Sequence, residues 1–213
     1  MASLDSRSNT RPGSNRVLIL FAHPAQDQSE INTPMFTMAS AVEGVSCVDL
    51  YGQYPRHDID VAAEQERLRQ HDVIIFMFPL YWYSTPALLK DWMDLVLEYG
   101  FAYGKDGTAL KDKYLLPVIS AGGAEAAYQQ NGYNHFSIRE LLRPLEQTAN
   151  LCLMKFVAPF VLFGSRTAVE DKRVEQHFQQ WRHLLQALVA GKVDLKKAAK
   201  LEHLACDFEG LIK

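Results

Sequence analysis

The sequence predicts an α/β protein with an open, doubly wound parallel sheet and helices on both faces. Three segments are continuously apolar or nearly so, namely Val17–Phe21, Val73–Phe78 and Tyr114–Ile119. Such runs are typical of strands that are covered on both faces, because a solvated face would bring polar residues at every second position. Helix-like stretches separate these runs, and alternating strands and helices imply right-handed crossovers in a parallel sheet.

Each element can be assigned in order along the chain. Two weaker strand candidates, Val45–Asp49 and Leu151–Val157, join the three strong ones and make five strands. Helix-like stretches follow the successive strands at Ser29–Val42, Val61–Gln70, Pro86–Glu98, Ser137–Ala149 and Val169–Ala190. Every strand is therefore followed by a helical segment, as a doubly wound sheet requires.

The loop after the first strand decides between the two common orders of such a sheet. A dinucleotide-binding sheet needs Gly-x-Gly-x-x-Gly there, but residues 22–32 contain no glycine. The flavodoxin-like order 2-1-3-4-5 is therefore preferred. The segment Gly100–Lys105 is interpreted as a turn-rich loop and not as a phosphate-binding loop, because its glycines are too close together and it follows a helix.

Composition fits a globular protein of 213 residues and 24.1 kDa, with 48% hydrophobic residues and a formal net charge of -3. The isoelectric point of about 6.2 argues against a nucleic-acid-binding surface, which needs a concentrated basic patch. The widely spaced Cys47, Cys152 and Cys206 indicate neither a disulfide framework nor a metal site. A reducing, cytoplasmic location is the simplest expectation.

The N-terminal stretch, residues 1–15, is rich in Ser, Asn, Arg and Pro and lacks the apolar core of a signal peptide. We expect it to be a disordered tail, with residues 16–213 forming one domain. The longest apolar runs are far shorter than the ~20 residues that a membrane-spanning helix needs, so no transmembrane segment is expected.

Three loops at the carboxyl ends of the strands are candidates for a ligand site. The first places Ser29 and Asn32 where a helix is predicted to begin. Ser29 is a good N-cap, and the N–H groups of a helix start can hold a phosphate. A plain N-cap in a solvated loop is the alternative, which the carboxylates of Asp27 and Glu30 favour. His23 alone is more typical of a structural histidine than of a catalyst.

The second loop, Pro79–Pro86, contains the consecutive aromatic residues Tyr81, Trp82 and Tyr83. A loop of this length cannot bury all three rings, so part of the aromatic surface should be available for stacking on a flat ring system. Core packing or a subunit interface is the alternative explanation.

The third loop begins at Ser120 and contains Gly122 and Gly123, followed by Tyr128 and His135. Paired glycines allow the backbone to approach a planar ligand and leave N–H groups free to donate to it. Together with a tyrosine and a histidine, they would supply donors that follow charge developing on a ring during its reduction. A simple turn is the alternative for the glycines alone.

Several of these motifs occur together in one known family. The sequence contains His23-Pro with Ser29-x-x-Asn32, the run from Phe78 to Trp92, Phe101-Ala-Tyr-Gly104, Gly122-Gly123 and Leu142-Arg-Pro-Leu145. In this order and spacing, over residues 16–165, the chain resembles the flavodoxin-like NAD(P)H:quinone oxidoreductases. Asp58-Ile-Asp60 with Glu64-Gln65, and the stretch Glu98–Gly104, look most like the bacterial Kef potassium-efflux ancillary proteins and general stress oxidoreductases.

The resemblance implies a flavin, FMN with FAD as the alternative, with NADH or NADPH as co-substrate and a quinone as acceptor. It also implies ping-pong transfer of two electrons as hydride through the flavin. Tyr128 and His135 match the family's pair that assists charge on the reduced flavin. The residues expected to bind the cofactor are His23, Ser29, Ile31, Asn32, Pro79, Leu80, Tyr81, Trp82, Tyr83, Ser120, Ala121, Gly122 and Gly123.

A homodimer is expected, because the aromatic loop and residues 92–103 would expose more apolar surface than a monomer usually does. The resemblance agrees, since family members place the flavin at a dimer edge.

Two other functions remain open. The Kef-like resemblance suggests an ancillary subunit of a glutathione-gated potassium efflux transporter, peripheral on the cytoplasmic face of the inner membrane. The basic residues Lys192, Lys196, Lys197 and Lys200 could then face an acidic partner or an anionic membrane, although a solvated helix face is the preferred explanation. A one-electron carrier is less consistent with the length and mild acidity of the chain.

Overall fold

The computed structural model describes residues 14–213, and a parallel sheet forms its centre. The strands are β1 (Val17–Phe21), β2 (Val45–Asp49), β3 (Val73–Pro79), β4 (Tyr114–Ser120), β5 (Lys155–Phe156) and β6 (Phe160–Leu162). Their order is β2-β1-β3-β4-β5, with β6 also paired to β4, and the pairs are parallel. The predicted fold class and strand order are confirmed, whereas residues 1–13 of the predicted tail lie outside the described residues.

Helices follow the strands as the sequence predicts, with one interruption. Over residues 14–213 the α-helices are α1 (Asn32–Ser40), α2 (Leu50–Gln53), α3 (Val61–Gln70), α4 (Ala87–Val96), α5 (Ile138–Leu141), α6 (Arg143–Leu151), α7 (Val174–Val189), α8 (Leu195–Ala198) and α9 (Phe208–Leu211). The helix predicted at Ser137–Ala149 is divided at Leu142, because Pro144 has no N–H to donate to the preceding turn. In this described part of the chain, no helix is long and apolar enough to cross a membrane.

The sheet edge beyond β4 differs from the single fifth strand predicted at Leu151–Val157. Leu151 ends α6, and β5 and β6 form the edge by pairing with the start and the end of β4. Val157 N–H still donates to Leu115 O at 2.8 Å, but Pro159 has no N–H, so the ladder is interrupted before β6. The chain then delivers residues 163–166 to the carboxyl end of the sheet.

Both faces of the sheet are buried, which explains the continuous apolar runs. Leu18 and Leu20 of β1 lie in a cluster with apolar residues of α3 and α4. Ile19 and Phe21 lie in a second cluster on the opposite face, with Trp181 of α7. A sheet with one solvent-exposed face would show alternating polar and apolar residues. The strand β1 does not alternate in this way, because helices cover both of its faces.

The carboxylate of Glu64 is buried between α3 and α4 and forms an ion pair there. Glu64 is fully buried and accepts hydrogen bonds from the Tyr54 hydroxyl at 2.7 Å and the Trp92 indole N–H at 3.0 Å. Arg67 forms an ion pair with the same carboxylate, and the Asp60 side chain caps the helix. These two acidic residues of the Kef-like motif therefore stabilise α3 and the packing of its neighbour.

Two smaller expectations can be compared with the structure. Residues 100–105 form turns, in which Gly100 N–H donates to Tyr103 O at 2.8 Å, so the predicted turn-rich loop is confirmed. Cys47, Cys152 and Cys206 are free thiols.

Candidate functional site

A cleft of about 730 Å³ opens at the carboxyl ends of β1, β3 and β4. The strand order reverses beside β1, which is the position where open α/β sheets bind ligands. The structure brings the three predicted loops together here. Among the predicted cofactor-binding residues, all line the cleft except Asn32 and Ala121, which are buried behind it.

The loop after β1 is organised by Ser29. Its hydroxyl oxygen accepts hydrogen bonds from the N–H groups of Asn32 and Thr33, both at 3.1 Å. Ser29 is not the N-cap that the sequence predicts, because α1 begins at Asn32 and its N-cap is Ile31; its hydroxyl instead satisfies the first two N–H groups of the helix from further upstream. The side-chain amide nitrogen of Asn32 is buried without a hydrogen-bond partner among the described residues, so one donor next to Ser29 is left unsatisfied.

His23 lies at the end of β1 and lines the same part of the cleft. Burial lowers the pKa of its imidazole, against the opposing charge of Asp27, so the ring is neutral near pH 7. Because Nδ1 accepts a hydrogen bond from Ala25 N–H at 3.2 Å, the ring proton is on Nε2. His23 is therefore a neutral N–H donor at the cleft.

The aromatic loop after β3 is held in a tight turn. Tyr81 and Ser84 form an antiparallel bridge, and Ser84 N–H donates to Tyr81 O at 3.0 Å. Trp82 and Tyr83 between them have φ angles of 50° and 62°, a left-handed conformation that side chains with a Cβ rarely adopt. Trp82 is 93% exposed. Strain of this kind clusters at ligand sites, and here it presents an indole ring at the cleft.

The glycine pair after β4 leaves a narrow shelf between two side chains. A Cβ at Gly122 would lie 3.2 Å from Arg166 Nε, and a Cβ at Gly123 would lie 3.3 Å from the Tyr128 ring. A Cβ at either position would crowd these side chains, so the two glycines allow Arg166 and Tyr128 to lie close to the backbone at the cleft.

Tyr128 and His135 are not brought together as predicted. Tyr128 is buried at the cleft wall and packs on Phe163, with ring centroids 5.4 Å apart. Burial raises the pKa of its phenol, so the hydroxyl is a protonated donor near pH 7. His135 is exposed and lies outside the cleft lining, whereas the preceding Asn134 lines it and accepts a hydrogen bond from Tyr83 OH at 3.0 Å.

The sequence did not identify Asn134 or Arg166 as site residues. Asn134 is adjacent to His135, and spacing alone does not reveal which neighbour faces a cleft. Arg166 arrives four residues after β6, so a correct placement of that edge strand would have pointed to it. Arg166 gives one end of the cleft a positive charge, while Glu30 lines it near the Ser29 loop.

Comparisons with known proteins agree with this geometry. Residues 15–185 match a family model described as the flavodoxin-like fold. The glutathione-regulated potassium-efflux system ancillary protein KefG of Serratia proteamaculans is 46% identical, over 71% of this chain and 82% of that protein.

Two crystal structures share the fold. General stress protein 14 of Treponema denticola, solved in complex with FMN, is 36% identical with a TM-score of 0.75, covering 81% of this chain and 99% of the other. An NADPH-quinone reductase from P. pentosaceus is 34% identical with a TM-score of 0.71, covering 80% and 97% respectively.

Proposed function

This chain belongs to the family of the flavodoxin-like fold, and on that premise we propose that it is an FMN-dependent NAD(P)H:quinone oxidoreductase. The observation that carries the proposal is the cleft where the strand order reverses. Three loops meet there, namely the loop of Ser29, the aromatic turn around Trp82 and the loop of Gly122 and Gly123. The FMN bound by general stress protein 14 and the activity named for the P. pentosaceus protein support the choice of cofactor and reaction.

The residues present fit FMN at both ends. Ser29 and the unpartnered amide of Asn32, with the Nε2–H of His23, would hold the phosphate. The turn from Pro79 to Tyr83 would flank the ring system, and the shelf at Gly122 and Gly123 would support it. Ser120, Ile31 and Leu80, which line the cleft, would complete this set as backbone or apolar contacts, whereas Ala121 is buried outside the lining.

Bound FMN would supply two-electron hydride transfer between NAD(P)H and a quinone, in two half-reactions at one site. The chain's part would be to stabilise negative charge on the reduced ring. Tyr128 would donate from its hydroxyl, Gly122 and Gly123 from their backbone N–H groups, and Arg166 would add a positive charge beside Gly122. The open, aromatic mouth would allow the two substrates to bind in turn.

Purification followed by identification of the bound cofactor tests the proposal. The protein should be yellow, release FMN on denaturation, and oxidise NADH or NADPH when a soluble quinone such as menadione is added. Mass spectrometry of the extract distinguishes FMN from FAD, and parallel assays determine the preferred nucleotide. Apoprotein that shows no FMN binding at micromolar concentrations would overturn the proposal.

Tyr128→Phe should slow flavin reduction by NAD(P)H by about 10-fold, because one donor at the developing charge is lost in a partly open cleft. Binding of oxidised FMN should be nearly unchanged. Rapid-mixing measurement of flavin bleaching tests this, with Tyr114→Phe, at the end of β4 opposite to the cleft, as control. Wild-type bleaching in Tyr128→Phe would remove the hydroxyl from the mechanism.

The role predicted for His135 stays a prediction, and the same measurement tests it. Its ring would have to turn from its exposed position into the cleft, so we expect a smaller loss for His135→Ala than for Tyr128→Phe. If both groups serve one charge, the double variant should lose less than the product of the two single effects.

A homodimer is part of the proposal. The turn around Trp82 is exposed, and Leu95 and Tyr99 add apolar surface, although Trp92 of the predicted segment is fully buried. Light scattering at micromolar concentration should give twice 24.1 kDa, and a particle of 24.1 kDa would contradict the dimer.

A second candidate, an ancillary subunit of a potassium efflux transporter on the cytoplasmic face of the membrane, is supported by the likeness to KefG. The lysines expected to face such a partner are only partly available, because Lys197 pairs with Asp207 at 2.5 Å. Lys192, Lys196 and Lys200 are exposed. Co-purification with a Kef-type transporter, and its loss when these three lysines are replaced by glutamate, tests this candidate.

A further inference from the structure

The last segment of the chain, residues 193–212, lies beyond residues 15–185 that the family model matches. It is nevertheless well packed, since Leu204, Phe208 and Leu211 are buried in the core cluster that α7 covers. We call residues 193–212 the C-terminal segment. Because the segment is tightly packed, a side chain that points from it toward the cleft has a fixed position.

One side chain of the C-terminal segment is hydrogen-bonded to the third loop of the cleft. His203 Nε2 donates to Glu125 Oε1 at 2.9 Å, with 8% of the histidine side chain and 62% of the glutamate side chain exposed. Glu125 begins the single helical turn that leads into Tyr128, whose N–H donates to Glu125 O at 2.9 Å. The bond therefore connects the C-terminal segment to the backbone that places Tyr128.

The same histidine also reaches Tyr128 through an aromatic contact. The His203 ring meets Phe163 edge-on, with centroids 5.3 Å apart, and Phe163 packs on Tyr128 at 5.4 Å. The other ring nitrogen, Nδ1, is buried without a partner among the described residues. The ring is thus bonded to the third loop through Nε2 and packed against Phe163, and each of these two partners contacts Tyr128.

We propose that His203 is a positioning residue for Tyr128, acting through Glu125 and Phe163. The inference rests on the proposed function, in which the Tyr128 hydroxyl donates to charge that develops on the flavin. Such a donor is effective only if it is held at the right place before the reaction, and small displacements weaken it steeply. The C-terminal segment supplies that restraint from outside the part of the chain that the family model covers.

A second anchor of the C-terminal segment provides the matched control. Arg139 Nη1 donates to the carbonyl oxygens of Ala199 at 2.8 Å and Leu201 at 2.5 Å. This anchor holds the segment against α5, and the other bond of the Arg139 side chain is to Glu146 of α6, so its side-chain hydrogen bonds among residues 14–213 do not include the loop of Tyr128. If the segment only stabilises the fold, loss of either anchor should have the same consequences.

The test compares His203→Phe with Arg139→Gln in the FMN-loaded protein. His203→Phe keeps an aromatic ring against Phe163 but removes the donor to Glu125, so flavin reduction should slow about 3- to 10-fold with little change in the KM for NADH. Arg139→Gln should lower the Tm without changing that rate. Glu125→Gln, which keeps an acceptor oxygen, should reduce flavin like the wild type, and Glu125→Ala should resemble His203→Phe.

Epistasis with Tyr128 is the decisive measurement. In a Tyr128→Phe background, His203→Phe should have no further effect on the reduction rate, because the group that it positions is already absent. An equal loss in both backgrounds, or an equal loss in Arg139→Gln, would overturn the proposal. A wild-type rate of flavin reduction in Tyr128→Phe would also overturn the positioning proposal. If this variant still binds FMN and reduces quinone, the proposed function itself is not contradicted.

Hydrogen exchange of the cofactor-free protein gives a readout that needs no flavin. His203→Phe should accelerate amide exchange in residues 122–134, and Arg139→Gln should not. Unchanged exchange in this loop would overturn the positioning role. This result would be independent of the proposed function, because it does not require that the protein binds FMN.

Discussion

Replacing Glu64 by alanine should lower the free energy of unfolding by about 3 to 5 kcal/mol. The carboxylate is fully buried and joins the Tyr54 hydroxyl, the Trp92 indole and Arg67. Without it, two buried donors lose their acceptor and the guanidinium loses its partner, and an unsatisfied buried group is penalised by ~1–3 kcal/mol. Burial and the bond to Glu64 already raise the pKa of the Tyr54 phenol to about 12.

Urea denaturation followed by far-UV circular dichroism measures this loss. Glu66→Ala is the matched control, because Glu66 is exposed on the same helix and its removal should change the free energy of unfolding by less than about 0.5 kcal/mol. Glu64→Gln keeps one acceptor oxygen and replaces the other by a donor NH2 group, so its loss should fall between the two. A loss below about 1 kcal/mol in Glu64→Ala would mean that water or a rearranged side chain replaces the carboxylate.

Replacing Trp82 by glycine should weaken FMN binding while stabilising the protein. On the proposal that the indole stacks on the flavin, its loss should remove about 2 kcal/mol of apolar burial and ring contact, which is a roughly 30-fold rise in Kd. Glycine adopts the left-handed φ of this position without a steric penalty, so the free energy of unfolding should rise by about 1 kcal/mol. Little packing is lost, because the ring is 93% exposed.

Trp82→Ala separates the two effects. It should raise the Kd for FMN as much as glycine does, but it keeps a Cβ in the strained conformation and should not raise the Tm. Fluorescence titration with FMN and thermal denaturation of the apoprotein measure the two quantities. An unchanged Kd in both variants would show that the aromatic turn serves another surface, such as the dimer contact.

Much of the fold follows from local patterns. β1, β3 and β4 are continuous apolar runs because two helical layers cover them, and a first loop without glycine selects the strand order. The fifth strand was predicted in the right place but too long, and β6 was missed, because its pairing depends on where Pro159 interrupts the ladder with β4, which is a tertiary property. The short helices α8 and α9 have too few turns to show a period.

The candidate site was predictable to the level of loops. The carboxyl ends of three strands had to meet at one edge, which brings Ser29, Trp82 and Gly122 together. Which face of a loop points inward was not predictable, because a single left-handed residue such as His135, with φ of 61°, reverses the direction of its neighbours. Arg166 and His203 depend on chain paths through β6 and the C-terminal segment that no local pattern encodes.

The closed turn at residues 81–84 also determines the heat and entropy of ligand binding. The turn is closed by its own backbone bond between Ser84 and Tyr81, so a docking ring system should leave little conformational entropy to be lost there. The exposed indole of Trp82 would be dehydrated in the same event, and burial of apolar surface gives a negative heat-capacity change. Binding at this site should become more exothermic on warming, without the large entropic penalty of a loop that orders only around its ligand.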